Sequence, residues 1–87
     1  MVSCMNTHVQ SFLAEVPRVA RQITQIAGRY NGRTWLVRIA LPMAEAADIV
    51  REAIERELSD RGHAGIEVRV VVGKGDTLRL LSVEFDN

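Results

Sequence analysis

Between Thr34 and Leu41 the chain reads TWLVRIAL, and alternate positions separate into two faces of an extended ribbon. Trp35, Val37, Ile39 and Leu41 form one face; Thr34, Leu36, Arg38 and Ala40 form the other. Aromatic and β-branched side chains suit a pleated backbone, so this run predicts a first strand, either central in a sheet or paired with a second subunit. Upstream, Val9, Phe12, Leu13, Val16, Val19, Ala20, Ile23, Ile26, Ala27 and Tyr30 recur at helical spacing and predict a helical segment over 7–29 with one apolar stripe. Thr7 and Gln10 stand at capping-box spacing. Pro17 lacks an N–H, and its ring clashes with the carbonyl four residues back. A short first piece is therefore expected, then a main helix from about Pro17 to Ala27, stopped at Gly28.

Downstream, Pro42 punctuates the strand and a second helix is expected from about Met43 to Arg61, with Ala46, Ala47, Ile49, Val50, Ala53, Ile54 and Leu58 as its buried stripe. Its other side reads as a solvated charge lattice. Glu45 and Asp48 lie in the first turns, where the helix dipole favours anions, and Glu52–Arg56 and Glu57–Arg61 are i,i+4 pairs before a stop at Gly62. Ile66, Val68, Val70 and Val72 alternate with Glu67, Arg69 and Val71, which predicts a second strand. Gly73-Lys74-Gly75-Asp76 reads as a hairpin turn. The third strand, Thr77 to Phe85, changes phase: Leu78 and Leu80 share one side, Leu81, Val83 and Phe85 the other. A bulge near Leu80-Leu81, or burial of both faces, accounts for that.

The element order is thus α-β-α-β-β, an α+β domain with a three-stranded mixed sheet and two helices packed on one face. The pattern leaves strand order open between 1-2-3 and 1-3-2. Residues 1–6 are expected to be a flexible lead-in and 7–87 a single domain, with Met5 an alternative start to Met1. Apolar residues on the second side of a sheet need a cover, and another copy of the sheet supplies one. On that basis Trp35, Val37, Leu78 and Leu80 are the candidate dimer interface.

Length strengthens this expectation, because a chain of 87 residues sits near the lower limit of what a single core stabilises alone. With 47% hydrophobic and 25% charged residues the composition is that of a folded domain rather than a disordered one. No apolar run approaches the roughly 18 residues of a membrane span, and no basic start leads into an apolar stretch, so a cytoplasmic location away from membranes is expected.

Charge is balanced overall at 11 basic against 11 acidic residues, yet unevenly placed. Up to Met43 there are five arginines and one glutamate; beyond it acidic residues outnumber basic ones. The stretch Arg29-Tyr30-Asn31-Gly32-Arg33 interleaves guanidiniums with an aromatic ring close to Trp35. Together with Arg18 and Arg21 on the preceding helix, Arg29, Tyr30 and Arg33 are candidate nucleic-acid contacts, since such surfaces meet phosphates and stack on bases. The competing reading has Tyr30 and Trp35 capping the core while the arginines pair with carboxylates of the second helix. Neutrality favours the latter, because dedicated nucleic-acid domains are distinctly basic.

Enzyme-like or metal-binding patterns are weak. The glycine-rich loop with Lys74 leads into a strand rather than a helix N-terminus, so it lacks the geometry of a phosphate cradle. Cys4 is the single cysteine and cannot close an intrachain disulfide; with His8 it supplies only two ligands. His63 stands past Gly62, where it is expected to help satisfy helix C-terminal carbonyls. No catalytic residue, cofactor or metal is expected. The sequence points to a non-catalytic cytoplasmic binding module, a homodimer through its sheet, with a protein partner or small ligand. The alternative is a nucleic-acid-binding domain.

Overall fold

The computed structural model describes residues 7–27, 34–75 and 77–85. Its elements are helices α1 (Thr7–Ala14) and α2 (Val16–Ala27), strand β1 (Trp35–Leu41), a 3-10 turn (Ala44–Ala46), helix α3 (Ala47–Asp60), and strands β2 (Ile66–Val72) and β3 (Arg79–Phe85). The proposed lead-in 1–6, the expected stop at Gly28 and the stretch from Arg29 to Arg33 lie outside the described residues.

The helical segment breaks as Pro17 requires, with the interruption at Glu15. The Glu15 N–H closes a tight turn onto the Phe12 carbonyl at 3.0 Å, and the Glu15 carbonyl accepts from Val19 at 3.1 Å to begin α2. Pro17 then falls in the first turn, where its missing N–H costs no intrahelical bond. At the other end of the domain α3 stops where Gly62 adopts φ +87°. The Gly62 N–H reaches Ser59 O at 3.0 Å and the His63 N–H reaches Leu58 O at 2.8 Å, the two bonds of a Schellman motif. His63 therefore does satisfy a helix carbonyl, through its backbone.

The sheet order is β2-β1-β3, with β1 parallel to β2 and antiparallel to β3. This corrects both orders left open by the pattern, and with them the hairpin reading of Gly73–Asp76. After β2 the chain passes the end of β1 to reach its far edge, a displacement of two strand spacings or about 10 Å. The Gly73 N–H marks that crossing by donating to Leu41 O at 3.0 Å. The physical reason for β1 at the centre lies in its makeup: Arg38 is its one charged residue, and Leu36 and Ala40 line its second face. Strands β2 and β3 each carry two charges, which an edge position tolerates.

Between β1 and β3 the register shifts, since Arg38 faces Ser82 while Ile39 faces Leu80. Leu81 is the extra residue, so of the two accounts of the phase change a bulge is the one present between β1 and β3. Its effect is to return Leu80, Val83 and Phe85 to the side of Ile39, Val37 and Trp35. On that side α2 contacts β3, α3 contacts β2, and the helices contact each other. The core joins Val19, Ala20 and Ile23 of α2 and Val50, Ile54 and Leu58 of α3 to Trp35, Val37, Ile39 and Leu41. Two details of α3 depart from the sequence pattern. Ile49 is exposed rather than buried. Arg51 takes Glu55 at 2.9 Å, with Glu52 4.0 Å away, and no Glu52–Arg56 pair forms among the described residues; Glu57–Arg61 forms at 3.1 Å as expected.

Candidate functional site

The helices leave one side of the sheet uncovered by the described residues. Strand alternation and register place nine side chains on it in three cross-sheet rows: Glu67–Leu36–Glu84, Arg69–Arg38–Ser82 and Val71–Ala40–Arg79. Ala40 is buried beneath its neighbours and Leu36 is half-buried, whereas Val71 keeps 42% of its surface exposed. Arg38 and Arg69 are direct neighbours of like charge in the parallel pair, an arrangement that is unfavourable unless a carboxylate intervenes. Glu84 supplies one to Arg38, its Oε2 lying 3.2 Å from Nε. Both side chains are about half exposed, so water screens the pair and its stabilisation lies in the range of about 0–1 kcal/mol. The face thus offers guanidiniums, carboxylates and short apolar side chains, a set suited to binding planar or charged groups.

The edge of β2 adjoins this face. Among the described residues β2 pairs with β1 alone, and its end exposes Val72 at 48%. The register along all seven residues of β2 runs without a shift, in contrast to the bulged β3.

The residues singled out from sequence fall elsewhere. Trp35, Val37 and Leu78 are buried under the chain's own helices, and Leu80 is partly buried against the same core. Val37 and Leu78 have no accessible surface and cannot meet a second subunit while the helices stay in place, so a face-to-face contact of two sheets would draw on the alternate positions. The signal for those positions was present in the same alternation, as the phase opposite to the stripe. Arg29, Tyr30 and Arg33 lie outside the described residues. Arg21 is exposed on α2. Arg18 is engaged: its Nη2 donates to Glu15 Oε1 at 2.9 Å and to the Leu78 carbonyl at 3.0 Å. Glu15 Oε2 in turn accepts from the Leu78 N–H at 3.3 Å. The two side chains clamp the junction of α1 and α2 onto the residue that precedes β3.

Removing Glu15 from this clamp leaves the part-buried Leu78 N–H without its acceptor. Glu15→Ala is expected to cost about 1–2 kcal/mol, the penalty for an orphaned donor. The check is a double-mutant cycle with Arg18→Ala in denaturant titrations, in which the two losses are expected to be less than additive because the groups share one network.

Among the described residues no group of three or more His, Cys, Asp or Glu side chains is placed to hold a metal ion, and no helix is long and apolar enough to cross a membrane. Comparison with protein-family models, curated proteins and solved structures returns no match.

Proposed function

We propose that the chain is a non-catalytic cytoplasmic binding module that self-associates through its sheet and presents the joined surface to a protein partner or a small ligand. The observation that carries this reading is the one-sided covering of the sheet, which leaves Val71 42% exposed on the open face, with Val72 at the end of β2 and Leu81 at the bulge of β3 each 48% exposed beside strand edges that are unpaired among the described residues. Exposed apolar side chains along an unpaired strand are a hazard to a monomer, and association with a like surface removes it. The small size of the core supports the same reading, since a second subunit adds burial that 87 residues alone supply sparingly. The nucleic-acid alternative has less support, because Arg18 is held by Glu15 and by the Leu78 carbonyl.

Light scattering over a wide range of protein concentration, at low and high salt, tests the proposal. A dimer that persists in high salt is expected, because backbone hydrogen bonds and apolar contacts are weakly screened. A monomer throughout removes the reading. An assembly that dissolves completely with salt replaces apolar sheet pairing with charge attraction.

A further inference from the structure

We propose that two copies pair edge to edge along β2, antiparallel, with Val68 on the two-fold axis. This rests on the self-association proposed above and names its surface and register.

The choice of edge follows from how the two outer strands are built. Natural sheets protect edges with bulges, prolines, short strands or charged side chains. β3 has such a device in the Leu81 bulge. β2 has neither proline nor bulge, runs seven residues in unbroken register and is rich in valine. Its two charges, Glu67 and Arg69, both lie on the open side, flanking Val68.

The register follows from symmetry. A two-fold axis perpendicular to the sheet keeps the helices of both copies on one side, and it pairs each residue with a partner residue of the same phase. The registers it allows are those that place one residue opposite itself. With Arg69 on the axis, two guanidiniums meet; with Glu67 there, two carboxylates meet. With Val70 on the axis, Arg69 faces the partner's Val71 and Glu67 faces the partner's Gly73, so no charge is matched. With Val68 on the axis, Glu67 faces the partner's Arg69 and Arg69 faces the partner's Glu67, both on the open side. On the helix side Ile66 faces the partner's Val70, and Val68 faces the partner's Val68. The run IEVRV is thus complementary to its own reverse, which no other centre in the strand achieves.

The product is a continuous six-stranded sheet formed from two sheets of order β2-β1-β3. Its outer edges are the two bulged β3 strands, so the regular edge is consumed and the bulged one remains. Because α3 lies against β2, the two α3 helices approach across the axis and add to the buried surface.

Charge exchange at two exposed positions tests this register. Glu67→Arg and Arg69→Glu each turn both symmetry-related pairs from attractive to repulsive, and sedimentation at low salt is expected to show dimerisation weakened about tenfold or more in each. An equimolar mixture of the two variants is expected to recover association to within a few-fold of the parent, as is the homodimer of the doubly exchanged chain. Recovery of association in the mixture is a gain that misfolded variants cannot produce. Single variants that dimerise like the parent, or a mixture that stays dissociated, overturn the β2 register while leaving self-association standing. A parent chain that is monomeric overturns both.

Discussion

Ile54→Ala is expected to lower the free energy of unfolding by about 3–4 kcal/mol, whereas Ile49→Ala, in the same helix, leaves it within about 1 kcal/mol of the parent. Ile54 has no exposed surface and belongs to the cluster that joins both helices to β1. Truncation there removes the burial of three carbons, about 0.8 kcal/mol each, and leaves a cavity that close-packed neighbours fill only in part. A domain of this length has a total stability of roughly 4–13 kcal/mol, so the loss is a large fraction of it. Ile49 keeps 41% of its surface exposed, so less burial is lost, and the better helix propensity of alanine returns about 0.4 kcal/mol. Denaturant titration followed by far-ultraviolet circular dichroism checks the pair. Equal losses at the two sites would mean that α3 presents a different face to the sheet.

Trp35→Ala is the second large effect, expected at about 3–5 kcal/mol. The indole opens the central strand with 8% of its surface exposed, between Ile66 on one neighbour and Phe85 on the other. It stacks on the Phe85 ring at a centroid separation of 5.2 Å and an interplanar angle of 27°. Phe85→Ala removes the stack but keeps the indole, at an expected cost of about 1–2 kcal/mol. Trp35 is the single tryptophan of the chain, so its fluorescence reports the change directly. Emission in Phe85→Ala is expected to move to longer wavelength in the folded state, and an unchanged spectrum would show that Phe85 does not shield the ring.

Much of this fold was legible because burial imposes a period on the chain. The alternation in β1 and β2 placed Trp35, Val37, Ile39, Leu41, Ile66, Val68, Val70 and Val72 on one face; the first six are buried, Val70 is half-buried, and Val72, at the end of the edge strand, is exposed. The phase break at Leu80-Leu81 left a bulge and burial of both faces as alternatives, and the register between β1 and β3 contains the bulge. What period cannot convey is which strand lies beside which. Gly73-Lys74-Gly75-Asp76 has the composition of a tight turn, yet it lies where the chain leaves β2 to pass the end of β1, with the Gly73 N–H on the Leu41 carbonyl. For the same reason the stripe of β1 did not say whether helices or a second subunit would cover it; within the chain the helices bury Trp35, Val37 and Leu78 and partly bury Leu80. The clamp of Glu15 and Arg18 on Leu78 was beyond reach as well, because its partners meet only after the sheet and helices have assembled. In α3 several i,i+4 partners compete for each arginine, and the choice of Glu55 by Arg51 depends on side-chain rotamers that spacing leaves open.

The position of β1 between its two neighbours also sets an order of events during synthesis. β1, α3 and β2 are complete once Val72 has been made, and the parallel pairing of β1 with β2 uses no residue beyond it. The other edge of β1 has no occupant until β3 follows, a delay of roughly one to three seconds at ordinary translation rates. During that interval the most apolar strand of the protein is an edge, and a neighbouring nascent chain can compete for it. The short crossing after Gly73 limits the interval, and the clamp on Leu78 then secures the arriving strand at its first turn onto the sheet. Late docking of β3 is thus a step at which an apolar edge of this small domain is open to misassembly.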